Sequence, residues 1–321
     1  MIGDLFSFLT SSIFEGFLTA SMRLAIPIML AAIGGIYNER AGISNIGMEG
    51  FMIVGSLTGF VVSYYSGSVW IGILAAIFLG ILLGLIMGYF EITLKVNQVV
   101  FGISLNLFCV GLTSFLFRII FGITSNSPRI TPLPTIVIPI LSKIPVIGPI
   151  LFQQTALAYI TYILVLITAI IMYRSAWGMN IIAAGENPEA AETMGVDVIR
   201  TRYYSIIISG VLCSIGGAFL STASTGLFVQ NMTAGRGYIA LAILVIGRWD
   251  PFGVFIAALL FGAADALQLR TQLFNFDIPY QFLVMLPYIL CMVVMIFFSK
   301  SSRAPAALGE PYDRGGKKSE I

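Results

Sequence analysis

The sequence predicts an all-α, polytopic membrane protein of about nine (8–10) transmembrane helices, built as two inverted-repeat halves with interrupted helices. Three observations carry this expectation. Of the 321 residues 58% are hydrophobic and only 10% charged, and mean hydropathy is +0.97; a soluble domain carries roughly a quarter charged residues. That balance leaves too little polar surface to cover a globule and excludes a soluble enzyme. Apolar runs of about the ~20 residues needed to span a bilayer recur along the whole chain. The connections between them are short, with two exceptions of contrasting composition.

The runs fall at residues 12–37, 46–65, 68–94, 96–121, 154–173, 202–225, 236–247, 251–269 and 279–299. The first is preceded by Asp4, and no basic residue comes before Arg23. A cleaved secretory signal needs a positive leading region, so this run is expected to stay in the mature protein. The seventh run is too short to span alone and reads as broken or partial. The connection 122–153 is rich in proline (Pro128, Pro132, Pro134, Pro139, Pro145 and Pro149), with Arg129 and Lys143 its only charges. The connection 174–201 carries Arg174, Glu186, Glu189, Glu192, Asp197 and Arg200 and reads as a solvated helical hairpin. Residues 1–299 are thus expected to form one transmembrane domain, and 300–321 a disordered tail.

Basic residues orient the chain, because cytoplasmic loops carry the excess of Lys and Arg. With 174–201 and the tail in the cytoplasm, 11 of the 17 basic residues share that side, five lie opposite, and Arg23 falls inside the first run. A multi-pass protein of the cell membrane with a cytoplasmic C-terminus follows. The first four and last four runs both read as long helix, glycine-rich interrupted segment, then two helices, in opposite senses. Inverted repeats of this kind put a transport path at the repeat interface.

The polar residues inside apolar runs are the candidates for that path. The phrase Asn38-Glu-Arg-Ala-Gly-Ile-Ser-Asn-Ile-Gly-Met-Glu-Gly50 interrupts two runs. Backbone that leaves the helix at membrane depth must be buried in protein or line a water-filled cavity, so Asn45 and Glu49 are candidate lining groups. The competing reading is a short solvated turn around Glu39 and Arg40. Gln98, Asn106, Arg118 and Asp265 are also intramembrane and polar; Gln98, Asn106 and Asp265 join the candidate path, against the alternative of helix–helix hydrogen bonding. Gly80, Gly84 and Gly88 repeat every four residues and read as a close helix contact.

Enzyme chemistry finds little footing. The chain has no histidine, the commonest general base, and no clustered carboxylate pair. Cys109, Cys213 and Cys291 lie apart in apolar runs and suggest neither a metal site nor a disulfide framework. No catalytic residue, metal or cofactor is assigned. A net charge of +2 is too small to suggest nucleic acid as a partner; membrane lipid is the expected surrounding. The nearest approach to a phosphate-binding loop, Gly315-Gly-Lys-Lys-Ser319, has the wrong spacing, so the chain is not expected to hydrolyse ATP.

The sharpest motif is Ala184-Gly-Glu-Asn-Pro-Glu-Ala-Ala-Glu-Thr-Met-Gly-Val196. Asn187 fits an N-cap and Pro188 the first helical position. Glu189 suits the positive end of the helix dipole, and Gly195 stops the helix in the C′ position. About two turns result, too short to be stable alone. The helix must dock, on its own protein or on a partner.

Glu189-Ala190-Ala191, three further residues and then Gly195 resemble the EAA signature of ABC importer permeases. The stretch from Gly185 to Gly217, with Arg200 and the glycines Gly210, Gly216 and Gly217, is similar to the branched permease family of ribose, branched-chain amino acid and nucleoside importers. The Glu39–Gly50 phrase resembles the nucleoside-type members. The Gly-Gly-Ile-Asp-Leu-Ser-Val-Gly-like phrase usual in ribose-type members is absent. Arg236 to Trp249, followed by Pro251-Phe-Gly253, resembles the family's second interrupted segment. The resemblance implies a permease subunit for a small polar solute, of nucleoside class on this phrase, with a ribose or other sugar permease as the alternative. It also implies an ABC ATPase docked at Glu189, Ala190, Ala191 and Gly195, a second and different permease chain, and an extracytoplasmic substrate-binding lipoprotein. A reading from another class, a self-contained secondary transporter, would need ion or proton carriers such as Asp265 and Glu49 and no docking helix.

Overall fold

The computed structural model describes residues 12–122, 128–139, 141–144, 147–271, 280–298 and 304–313. Helices stand at each of the apolar runs: α1 Ser12–Arg40, α2 Met48–Ser66, α3 Val69–Gly88, α4 Gln98–Phe121, α6 Ala156–Arg174, α9 Val198–Phe219, α10 Arg236–Ile246, α11 Pro251–Thr271 and α12 Tyr280–Phe298. Short helices α5 (Ile147–Phe152), α7 (Ala176–Glu186) and α8 (Pro188–Thr193) lie in the two long connections. α3 and α9 each end in a π-helical turn, Tyr89–Thr93 and Leu220–Thr225. The proline-rich connection also holds a two-stranded antiparallel ladder, β1 (Thr135–Val137) with β2 (Gln153–Thr155), pairing Thr135 with Thr155. This small sheet is a departure from the all-α expectation.

Among the described residues, six helices are long and apolar enough to cross a membrane: Phe14–Arg40, Val69–Thr93, Gln98–Phe121, Ala156–Arg174, Val198–Thr225 and Pro251–Thr271. The chain is a multi-pass, helical membrane protein. α10 has 11 residues, about 16 Å at 1.5 Å per residue, roughly half a bilayer.

α9 is the spine. It packs along α1, α2 and α3, while α11 packs along α1. Glycines make this closeness possible from both sides. A Cβ on Gly217 would strike the Met52 carbonyl of α2, and one on Gly80 would lie 2.7 Å from the Gly210 carbonyl of α9. Gly84 and Gly88 meet Ile207 and Tyr203 further along the same seam. In lipid there is no hydrophobic drive between helices, so close backbone approach and its dispersion contacts supply the association.

Positions along α9 measure depth. The chain between α1 and α2 leaves the α7–α8 hairpin end of the bundle at Ala41, whose carbonyl accepts from Arg202 Nε at 3.1 Å. By Asn45 it has reached Ser209. Seven residues of helix separate those contacts, about 10 Å, so four residues of irregular chain climb that far into the bundle. Ser214 of α9 and Ser221 of the π-helical turn that follows it then donate to carbonyls of Phe51 and Ser56 in α2. The loop 41–47 is therefore non-helical backbone at membrane depth.

One expectation is overturned. Residues 304–313 do not form part of a disordered tail: Ala307 N donates to Gly185 O at 2.9 Å and Gly309 N to Gly42 O at 3.0 Å. Arg202 Nη1 reaches Glu310 O at 3.1 Å, and Lys95 pairs with Asp313. Backbone pairing that composition does not reveal fixes the segment. Residues 314–321 lie outside the described residues.

Gly217→Val should cost several times more stability than Gly111→Ala, whose new methyl meets nothing within 4 Å. Overpacking at the first is worth about 1–3 kcal/mol or more. Melting of the detergent-purified chain, followed by intrinsic fluorescence or fluorescent size exclusion, checks this: a clear drop for Gly217→Val and no loss for Gly111→Ala.

Candidate functional site

Glu49 occupies the place where the two interrupted segments meet. It lies in the first turn of α2 and is buried. Its Oε1 accepts from Thr233 Oγ1 at 2.5 Å and from Gly235 N at 2.9 Å. Its Oε2 accepts from Gly237 N at 2.7 Å. These donors are the start of α10, where Gly235 is the N-cap at φ +82°. A carboxylate suits this position, because the unpaired amides of a helix start carry partial positive charge. Gly237 is required by contact: a Cβ there would lie 2.6 Å from Glu49 Cα.

From this point the two helices run opposite ways. α2 rises to the far end, where Phe60 packs on Phe121 and Phe228. α10 descends to the hairpin end, where Trp249 Nε1 donates to the buried Glu39 at 2.5 Å. Arg40 Nε donates to Trp249 O at 3.3 Å. Arg248 and Trp249 there adopt φ of +59° and +54°, a left-handed conformation that non-glycine residues hold only where surroundings impose it.

Of the other candidate residues, Asn106 and Gln98 bind backbone. Asn106 Oδ1 accepts from Gly50 N at 2.7 Å, and its Nδ2 donates to Ile46 O at 2.8 Å and Tyr238 Oη at 2.9 Å. One amide on α4 thus ties the loop, α2 and α10 together. Gln98 Oε1 accepts from Ser44 N at 2.7 Å. Asn45 Nδ2 donates to Ser209 Oγ at 3.0 Å, while its buried Oδ1 has no partner among the described residues. Asp265 stands apart from this group and pairs with Arg236 at 3.9 Å, on the first residue of α10. Asn45, Glu49, Gln98 and Asn106 are therefore brought together around residues 41–50, and Asp265 joins them only through Arg236. Arg202, Thr233, Tyr238 and Trp249 belong to the same network, and sequence reasoning does not single them out; a Gly-Arg-Gly triplet at a helix start, 235–237, is the one local signal.

At the hairpin end, α8 has well-defined ends. Asn187 Oδ1 accepts from Ala190 N at 3.0 Å. Gly195, at φ +88°, donates to Glu192 O at 2.9 Å, and Val196 N to Ala191 O at 3.0 Å. This double closure fixes the C-terminus in a Schellman arrangement. Ala191 is turned inward with Ala184, Val198 and Tyr312, and the Tyr312 hydroxyl bonds Glu192. Glu189, Ala190, Thr193 and Met194 face outward, Met194 at 85% exposure. Of the two alanines expected to meet a partner, only Ala190 is available. Among the described residues no three His, Cys, Asp or Glu side chains gather as a metal site.

Comparison with known proteins adds a second line. A family model described as the permease component of branched-chain amino acid transport systems matches residues 17–299. The chain is 41% identical to a putative glucose ABC transporter permease protein of Haloferax volcanii, over 80% of this chain and 78% of the relative. It is 35% identical to a guanosine ABC transporter permease protein of Bacillus subtilis (92% and 96% covered). It is 32% identical to a nucleoside ABC transporter permease protein of Lactococcus lactis (89% and 93% covered). Bacillus subtilis has a further guanosine ABC transporter permease protein, 24% identical over 75% of this chain and 70% of the relative. No solved structure matches significantly.

Glu49→Gln keeps shape but turns an acceptor oxygen into a donor amide facing backbone N–H groups. It should lower stability by about 2–4 kcal/mol, the range for leaving buried donors unpaired beside a lost charge. Glu49→Ala should do no better. A detergent melting temperature equal to wild type for Glu49→Gln would show that the carboxylate does not hold α10.

Proposed function

The chain belongs to the family of permease components of branched-chain amino acid transport systems, and on that premise we propose that it is the membrane subunit of an ABC importer for nucleosides. The observation that carries the solute class is the pair of relatives named for guanosine and nucleosides, which match it over about nine tenths of both chains; the Glu39–Gly50 phrase agrees with it. A sugar is the second reading, favoured by the 41% identical relative named for glucose. ATP is hydrolysed by a separate subunit, since this chain carries no phosphate-binding loop of its own. A second, different permease chain completes the pore, supported by the two guanosine permeases of Bacillus subtilis, and a substrate-binding lipoprotein delivers the solute.

In this reading the hairpin end faces the cytoplasm, together with residues 304–313. The opposed helices α2 and α10 are the centres of two inverted repeats, and the path passes beside their common start. Asn45, with an acceptor oxygen left over, offers itself to solute. Glu49, Gln98, Asn106 and Asp265 shape the path by fixing the chain around it.

Coupling uses α8. Its outward Glu189, Ala190, Thr193 and Met194 enter a cleft of the ATPase, and Gly195 sets the exit angle toward α9. Movement of α8 reaches the core directly, because Ala191 packs against Val198 at the start of α9 and α9 touches α1, α2 and α3.

Uptake tests the solute. A strain lacking this chain should lose high-affinity uptake of labelled guanosine and regain it with the wild-type chain; intact guanosine uptake with lost glucose uptake would select the sugar reading. Gly195→Val forces a β-branched residue into positive φ, at a cost of about 1–3 kcal/mol. It should reach the membrane in normal amount, retain less ATPase on extraction and transport at least about tenfold more slowly. Normal transport by this variant would mean that α8 is only a connector.

A further inference from the structure

Residues 304–313 form a strap across the hairpin end of the bundle. Ala307 N donates to Gly185 O of α7, and Gly309 N to Gly42 O in the loop between α1 and α2. The Tyr312 hydroxyl donates to the carboxylate of Glu192 in α8, and the residue is buried against Ala184, Ala191 and Val198. Asp313 pairs with Lys95, in the connection from α3 to α4. Lys95 holds φ +55° there, a left-handed conformation that a non-glycine residue keeps only where its surroundings impose it.

The strap meets the interior at Arg202, which is buried on α9. Arg202 Nε donates to Ala41 O at 3.1 Å and Nη1 to Glu310 O at 3.1 Å. The guanidinium carbon stands 5.8 Å from the centre of the Tyr312 ring, within cation–π reach. The buried Nη2 has no hydrogen-bond partner among the described residues, so a loop carbonyl on one side and the strap on the other set the position of the group. A continuous run of contacts therefore leads from Glu192 of α8 through Tyr312 and Arg202 to Ala41. Four residues further along the loop is Asn45. The strap also borders the loop from its other side, because Ser44 N donates to Gln98, three residues after Lys95.

α8 has a direct contact with α9 as well, through Ala191 and Val198. That contact alone is a poor way to move the loop. α9 is wedged against α2 and α3 at Gly80, Gly210 and Gly217, with backbone close to backbone, and a close-packed seam yields little. The strap instead reaches the loop by hydrogen bonds, at Gly42 directly and at Ala41 by way of Arg202.

We propose that the strap is a coupling element of the importer, in which Tyr312 and Arg202 are positioning residues that pass a displacement of α8 to the loop 41–47 and so to Asn45. This rests on the importer reading above. When the ATPase displaces the outward side of α8, Glu192 on its other side draws Tyr312 with it. The Tyr312 ring and the Glu310 carbonyl then shift the Arg202 guanidinium against Ala41. Tyr312 lies under α8, away from the outward Glu189, Ala190, Thr193 and Met194, so loss of its hydroxyl leaves ATPase docking intact and weakens transmission alone.

The test uses the complete importer in liposomes: this chain, its second permease chain, the ATPase and the binding lipoprotein. Labelled-guanosine uptake and phosphate release are measured on the same vesicles. Tyr312→Phe keeps the ring beside Arg202 and Ala191 and removes only the hydroxyl bonded to Glu192. It should assemble in normal amount, retain the ATPase and hydrolyse ATP within about twofold of wild type, while uptake falls about fivefold, so that more ATP is consumed per solute moved. Lys95→Glu should show the same split, and Lys95→Glu combined with Asp313→Lys should restore the wild-type ratio. Uptake and hydrolysis that fall together, with less ATPase retained, would make the strap a structural cover for α8 and overturn the proposal; an unchanged ratio in both single variants overturns it too. Wild-type vesicles separate the two levels of inference. If they take up glucose and not guanosine, only the nucleoside reading falls, and the ratio is read with glucose. If they hold the ATPase yet couple hydrolysis to uptake of neither solute, the importer reading falls and the role of the strap falls with it.

Discussion

Glu49 and the start of α10 impose the constraint from which the interior follows. A carboxylate removed from water is tolerable only when donors replace its hydration, and a helix that begins in mid-bilayer exposes amides that lipid cannot satisfy. Each solves the other's problem. Thr233, Gly235 and Gly237 supply the donors, so the starts of α2 and α10 must coincide. Once they do, residues 41–47 have to climb into the bundle, and the side chains of Gln98, Asn106 and Asn45 are needed to satisfy the backbone exposed on the way and to tie it to α9. Polar residues scattered along four elements become one network with a single origin.

The glycines explain how so polar a centre stays closed. α9 touches three helices at once, which is possible only where Cβ atoms are missing from the contact surfaces, as at Gly80, Gly210 and Gly217. The seam is tight on the α2 and α3 sides and continues to the hairpin end, where Arg202 leaves α9 to hold Ala41 and Glu310. The same helix therefore touches the irregular loop at depth and the short helix outside. A rigid element with contacts at both places is the physical requirement for coupling them.

Much of this is legible in the sequence wherever the determinant is local. Asn187, Pro188 and Gly195 specify both ends of α8 through contacts within eight or nine residues, and the structure has those bonds. The nine apolar runs are helices because length and hydropathy suffice to place them, while pattern does not fix the number that fully cross; α10 is only 11 residues long. The burial of Glu49 and Asn106 follows from their apolar settings. Their partners do not, since Glu49 and Thr233 are 184 residues apart and no periodicity links them. Arg248 and Trp249 hide a left-handed pair, for neither residue type announces positive φ. Residues 304–313 mislead for a related reason: their composition is that of a free tail, but their anchors are backbone groups at Gly185 and Gly42, invisible in any residue count.

That last segment sets an order of events during biosynthesis. α8 leaves the ribosome more than a hundred residues before Tyr312, and until Tyr312 is made the inner side of α8 lacks its cover at Ala191 and Glu192. Likewise Gly42 and Gly185, adjacent in space, wait for Gly309 and Ala307 to occupy their carbonyls. The surface around α8 is thus complete only after residues 304–313 have been made. A chain cut short before Ala307 therefore presents a different surface around α8 from that of the longer chain.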